Sequence, residues 1–281
     1  MMASNTYLLA PLRLLPTLGR NRFLLGQLAW RAFASRHAGS YLGWLWTPIS
    51  TVIQFVLFMV VFSAILEIKI DGLGIDLARR PDVGFGVFLI TGLVPFLAVS
   101  DAVVRAAGVF RANVSLVQRV RLPAEILVLG DLLGTLLHHA LSFVVVVAIC
   151  WWRGHMGLTT LPWVMLAVAL FALWIVGLGL AASVLGAFLP DVPEILRLGF
   201  QVLFYGAPIV YPLAMVHQDT LRLLIQLNPF TPLLGVARAG LLSAAPPPPV
   251  MVAGLLAGGA LLMVVGSAAL DRWRYSIPDL L

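Results

Sequence analysis

Apolar residues run through this chain in long stretches, and the charged positions fall mostly between them. From Gly43 to Leu66 there is no charge for 24 residues, and about 20 suffice to cross the hydrocarbon core of a bilayer. Comparable stretches follow at Val83–Ser100, Ala124–Trp152, Leu161–Leu189, Leu198–Tyr211 and Val250–Leu270. The pattern predicts an all-α polytopic membrane protein with six transmembrane helices, forming a single transmembrane domain over residues 1–281. The fifth span is interrupted by Pro208 and Pro212, and the third carries Asp131, His138 and His139.

The polar intervals have patterns of their own. Between spans two and three lies FRANVSLVQRVRLPAE, Phe110 to Glu125, with Arg111, Arg119 and Arg121. Inside it Val114, Val117 and Val120 recur at helical spacing with Leu116 beside them, while Ser115, Gln118 and Arg119 point elsewhere. This predicts a short amphipathic helix within 110–123, closed by Pro123. A short helix held between two spans can pass force to a protein that docks on it. An ordinary basic loop that only sets topology has the same composition.

Near the N-terminus, residues 19–41 are basic and amphipathic. Leu24, Leu28 and Ala32 form one row and Leu25, Ala29 and Phe33 the next, with Gln27 and Arg31 opposite, which predicts a helix lying in the membrane interface. Arg36 breaks the two-faced pattern and is expected to cap the next turn or meet a headgroup. Residues 1–18 lack an h-region and an A-x-A site, so no cleaved signal is expected. Residues 67–82 read as an outer loop. In 213–249 the pieces Leu221–Leu227 and Leu233–Leu242 are each too short to cross, and they predict a re-entrant or interfacial region on the outer side.

Within the spans, Trp44, Thr51, Phe55, Phe58 and Phe62 fall on one stripe of the first helix, facing lipid, a neighbouring helix or a pathway. Asp101 and Arg105, four residues apart, can neutralise each other. Asp101, Asp131 and His138 are candidates for a proton relay, since ionisable groups inside a membrane are costly. Adjacent histidines on a helix diverge by about 100°, so His138 and His139 do not chelate one metal, and no metal site is expected.

Composition agrees with the membrane reading: 61% of residues are hydrophobic and 11% charged, against about 25% charged in soluble domains. The net charge of +6 comes from 18 basic and 12 acidic residues, with Lys69 the single lysine. In a six-span arrangement twelve arginines fall on the side of both termini, and Lys69, Arg79, Arg80, Arg153, Arg222 and Arg238 on the other. That places the termini in the cytoplasm by the positive-inside bias. A seventh span through Phe230 to Ala245 would export Arg272 and Arg274 against that bias. The charge excess is topological, and no nucleic-acid partner follows from it. Cys150 is the sole cysteine, so no internal disulfide or Cys-based metal site is expected. No G-K-S/T phosphate loop, H-E-x-x-H or nucleophile elbow is present, so catalysis by this chain alone is not expected.

The order of these segments resembles the membrane permease subunit of bacterial polysaccharide ABC exporters, those for O-antigen, capsule or teichoic acid. LGWLWTPI at Leu42–Ile49, FLITGLVPFLAVSDAV at Phe88–Val103 and NVSLVQRVRLPAEIL at Asn113–Leu127 are similar to the family's opening, second span and basic segment. FLPDVPEIL, FYGAPIVYP and LNPFTPLLGVARAGLL follow in the family's order. Leu189-Pro190-Asp191 departs from its aromatic-Arg-Asp triplet.

The resemblance implies a homodimer in the bacterial inner membrane, joined by two copies of a separate nucleotide-binding ATPase subunit that carries ATP and Mg. This chain itself holds no cofactor. Its substrate would be a lipid-linked polysaccharide. Asn113, Leu116, Val117, Arg119, Arg121 and Pro123 would form or close the coupling helix. Trp44, Thr51, Phe55, Phe58, Phe62, Tyr205 and Tyr211 would line the substrate pathway, and Arg31 and Arg36 would belong to the interface helix among the membrane lipids. The basic segment looks closer to the O-antigen and teichoic-acid branch than to the capsule branch. A secondary transporter or channel with no ATPase is the competing class, and a membrane assembly partner without transport is a third.

Overall fold

A computed structural model describes residues 10–65, 84–119 and 122–281. The described residues open with α1 (Ala10–Arg20) and α2 (Arg22–Ser35), and then turn through Gly39 and Gly43, whose φ angles of 79° and 53° favour glycine. A tight turn, Gly43–Leu45, leads into α3 (Trp46–Phe58), which widens into π-type turns over Met59–Ile65. The long helices α4 (Phe85–Ala112) and α6 (Ala124–Trp152) are joined through the short α5 (Val114–Arg119). Next come α7 (Leu161–Phe188), α8 (Val192–Tyr205), α9 (Asp219–Leu227), α10 (Phe230–Leu241), α11 (Pro249–Trp273) and α12 (Ile277–Leu280).

Among the described residues five segments are long and apolar enough to cross a membrane: Gly43–Phe62, Phe85–Ala112, Ala124–Trp152, Leu158–Phe188 and Pro249–Trp273. The centre of the bundle is α4, with 72% of its most apolar window buried against 17% for α3. Small residues let neighbours close on it. A Cβ on Gly186 of α7 would lie 1.8 Å from the Ala107 carbonyl oxygen, so only glycine permits that approach. Helices α7 and α11 meet the same way, with Gly266 against the Gly177 backbone.

Several boundaries differ from expectation. The second span does not end near Ser100: α4 runs on to Ala112, since no glycine or proline cluster interrupts it and its charges find partners on other helices. The short helix begins at Val114 rather than near Phe110, which still belongs to α4.

The fifth span is not a helix over 198–211. Pro193 in its first turn starts α8 early, and the chain leaves the helix at Gly206, since Pro208 disfavours helix in the residue before it. The carbonyls left open at that break are satisfied from outside the helix. The Asn228 side-chain amide donates to Leu203 O at 3.2 Å and Gly206 O at 2.9 Å, while its Oδ1 accepts the Phe230 N–H at 3.0 Å. Helices α9 and α10 thus form a hairpin whose turn packs by Phe96 and Phe200, with Phe230 at 5.0 and 6.1 Å from those rings. Its far end lies near the 153–160 turn, where Ser243 Oγ donates to His155 O at 2.6 Å. The expected outer loop 67–82 lies outside the described residues.

Candidate functional site

The break that creates α5 is local. Asn113 leaves helical geometry at φ −128° and ψ 33°, and its side-chain amide donates to Val109 O at 2.9 Å, closing the end of α4. The Asn113 carbonyl then accepts the N–H groups of Leu116 and Val117 at 2.9 and 3.1 Å, opening α5. On the far side, Pro123 sits immediately before α6 and its carbonyl accepts the Ile126 N–H at 3.0 Å. Ser115, Gln118 and Arg119 are exposed, and Asn113, Val114, Leu116 and Val117 half-buried, with Val117 packed against the chain's own core. Arg121 and Val120 lie outside the described residues.

Around α5 the supporting contacts are strong ones. Arg111 donates from Nε to Gly186 O and from a terminal nitrogen to Ala187 O, both at 3.0 Å, clamping the end of α4 to the end of α7. The C-terminal tail folds back rather than trailing: Ile277 is buried, and α12 touches α5 and α7. Arg274 lies 3.4 Å from Glu125 Oε1 in the first turn of α6 and 3.2 Å from Asp271. An acid in that first turn also meets the positive end of the helix dipole.

Helix α2, expected from its sequence to lie in the membrane interface, presents the expected faces, with Ala29 and Phe33 buried and Gln27 and Arg31 exposed. It packs on α6 so closely that a Cβ on Gly134 would come 2.6 Å from Ala29 O.

The backbone of Arg36 closes the end of α2, its N–H on the Phe33 carbonyl, but its side chain neither caps the next turn nor reaches outward. Its guanidinium enters the bundle, 2.8 Å from Asp101 Oδ2 on α4, and donates to Thr135 Oγ1 on α6 at 3.0 Å. Asp101 also receives His139 Nε2 at 2.9 Å. Asp101 and Arg105 therefore do not neutralise each other, and Arg105 instead meets Asp131 of α6 at 3.4 Å. His138 Nδ1 lies 3.2 Å from Thr47 Oγ1 and 3.5 Å from His37 Nε2. Thr51 Oγ1 donates to Ser142 Oγ at 2.9 Å, extending this polar belt along the α3–α6 contact. Among the described residues no group of three or more His, Cys, Asp or Glu is placed to hold a metal ion.

Of the aromatic stripe, Trp44 is exposed, and Phe55, Phe58 and Phe62 are half-buried against the core. Phe62 stacks on Phe85 at 4.8 Å between ring centroids. Tyr205 is exposed, and the Tyr211 hydroxyl donates to its carbonyl at 2.7 Å.

Sequence reasoning missed Asn228 and misplaced Arg238. Arg238 is not an outer surface charge but is buried in α10, donating to Pro208 O at 2.7 Å, its guanidinium carbon 3.8 Å from the Phe88 ring centroid. An arginine inside an apolar helix beside G-x-x-x-A-type small residues was the available signal.

Comparison with known proteins gives this arrangement a family. A family model described as ABC-2 type transporter matches residues 24–242. An O-antigen export system permease protein of Myxococcus xanthus is 25% identical over 229 residues, 79% of this chain and 82% of that protein. A polysialic acid transport protein of Escherichia coli is 24% identical over 75% of this chain and 78% of its own length. An O-antigen export system permease protein of Klebsiella pneumoniae is 22% identical over 71% and 72%. A match from α2 through α10, covering the α4–α5–α6 unit and the α9–α10 hairpin, means that this chain belongs to the ABC-2 type transporter family as a multi-pass membrane subunit.

Proposed function

We propose that this chain is the transmembrane subunit of an ATP-driven exporter that moves a lipid-linked polysaccharide across the bacterial inner membrane. Two copies would form the pathway, joined by two separate ATPase subunits that carry ATP and Mg. The observation that carries the reading is α5: a six-residue helix that opens at Asn113 directly after α4, precedes α6 by four residues in the chain and is backed by α12, with Ser115, Gln118 and Arg119 exposed. A rigid lever of this kind suits an ATPase that closes against it. The names of the relatives, O-antigen and polysialic acid export, support a polysaccharide substrate. Identities of 25% and 24% to the two kinds favour neither polymer branch.

On this reading the α5 end and both termini are cytoplasmic, and the α9–α10 hairpin re-enters from the outer side. The ion pairs of Asp101 with Arg36 and of Asp131 with Arg105 support a structural role over a proton relay, which a secondary transporter would need. The aromatic face of α3, with Tyr205 and Tyr211, remains our proposed sugar-contacting surface once the pathway opens, because rings bind sugar faces without demanding one hydroxyl pattern.

The test is recovery of the ATPase with affinity-tagged variants at matched membrane levels. Ser115→Trp and Arg119→Glu change only the exposed face and should reduce recovery and export together. Val117→Asp should do so more severely, since it also disturbs the core contact. Wild-type recovery and export by Ser115→Trp and Arg119→Glu would defeat the coupling role.

A further inference from the structure

Helices α6 and α7 each pack along α4 but touch one another much less, and a slot of ≈ 210 Å³ opens between them with α4 as its floor. Val94, Pro95 and Phe171 lie buried at its base, and Ala140 and Val168 are exposed at its mouth. Alanines at 98, 140, 167 and 172 give the slot its width, since larger side chains there would close it. Its walls, Leu136 to Phe143 on α6 and Ala167 to Ile175 on α7, run roughly 10–12 Å along the helix axes at about 1.5 Å per residue. The slot therefore lies along the spans, from near their middle toward α10, whose Ala237 also lines it.

The lining selects the occupant. His139 is its one side chain able to hydrogen-bond, and Nε2 of that ring is already engaged by Asp101 at 2.9 Å. An apolar cavity of this size stays dry, and the lining has no charge to hold a headgroup. Large exposed apolar residues flank the mouth, Leu133, Leu137 and Val144 on α6 and Met165 on α7, so in a bilayer the medium there is hydrocarbon. Lipid chains run along the spans as the slot does, and three walls give a chain more dispersion contacts than the outer surface of one helix. We propose that this slot binds one acyl chain of a phospholipid, from the leaflet on the α10 side, in preference to leaving it in the surrounding lipid. The bound chain lies against His139 and keeps water from the bond to Asp101. It requires no ATPase subunit and no second copy, so it stands or falls apart from the exporter reading.

The experiment uses the full chain in lipid nanodiscs containing a phosphatidylcholine with a photoactivated diazirine near the end of one acyl chain. Labelled positions are mapped by mass spectrometry. Leu136, Ala140 and Val168 should together take about three times the label per residue of Leu261, an exposed position midway along α11, because three walls replace one. Excess unlabelled polyprenyl phosphate should not clear the slot selectively. If it clears the slot and spares Leu261, the occupant is a polyprenyl chain and the proposal fails.

Two substitutions close the slot from different sides. Ala98→Leu fills it from the floor, and Val168→Phe narrows it from the exposed rim, where little packing is at stake. In each variant that keeps the wild-type melting temperature in detergent, slot labelling should fall to the level of Leu261. Equal labelling of the slot and Leu261 in the wild type, or an excess that survives Val168→Phe and Ala98→Leu, would overturn the assignment.

Discussion

Arg36 and Asp101 stand 65 positions apart in sequence and 2.8 Å apart in space, joining α2 to α4 inside the bundle. His139 on α6 and Thr135 on the same helix complete the junction, so three elements share one ionic knot. Since α4 is followed directly by α5, the knot ties α2 to the helix that leads into α5. Arg36→Gln should cost about 1.5–3 kcal/mol, the range for a hydrogen bond to a charged group. Asp101→Asn should cost a similar amount, and the double variant less than the sum, giving a coupling of about 0.5–3 kcal/mol. Thermal unfolding in detergent measures all three, and strict additivity would mean that the pair contributes nothing as a pair.

The contact of Gly186 with Ala107 predicts a sharp contrast within the same helix pair. Gly186→Ala must push α7 from α4 and strain the Arg111 clamp on the Gly186 and Ala187 carbonyls, at about 1–3 kcal/mol for overpacking. Gly108→Ala, with open space around its Cβ position, should be neutral or stabilising by about 0.5–1 kcal/mol through helix propensity. Equal melting temperatures for the two variants would contradict the close approach.

Asn228 is predicted to be the most sensitive residue of the α9–α10 hairpin. Asn228→Leu keeps the volume but leaves the carbonyls of Leu203 and Gly206 and the Phe230 N–H without their partner. A loss of about 1–3 kcal/mol for each group that stays buried is expected. Hydrogen exchange should rise first at the end of α8 and the start of α10. Unchanged protection there would show that water replaces the amide without loss.

For the aromatic face of α3, packing and transport make separable predictions. Phe62→Leu removes a ring contact to Phe85 and should lower stability, with about 0.5–1.5 kcal/mol lost beyond the change in buried area. Trp44→Leu, at an exposed ring, should leave stability within about 0.5 kcal/mol. If the stripe contacts sugar, Trp44→Leu lowers export at unchanged melting temperature. Full export by Trp44→Leu together with Phe55→Leu would remove the stripe from the pathway.

Orientation is tested by single cysteines in a Cys150→Ala background. Ser115→Cys at the exposed face of α5 should be shielded from an impermeant maleimide in intact cells, and Ser243→Cys beyond α10 should react. Labelling at Ser115 from outside would invert the proposed topology.

The sequence by itself determined the class, the third and fourth spans almost to the residue, the buried and exposed faces of α2, and the exposed set Ser115, Gln118 and Arg119 on α5. These are local properties: a run of apolar residues or a helical period is complete within the segment that carries it. The family was legible too, because the order of short motifs survives where overall identity is low. What only the tertiary structure decided is partnership between segments. Asp101 and Arg105 have ideal i, i+4 spacing for each other, yet each is paired across a helix contact, because the glycine-lined approach of α2 to α6 brings Arg36 closer. The break after Tyr205 was visible as Pro208, but its repair by Asn228, 20 residues beyond, was not. Arg238 looked like an outer charge for the same reason: the carbonyl of Pro208 and the ring of Phe88 that receive it come from two other parts of the chain, and only packing brings them together.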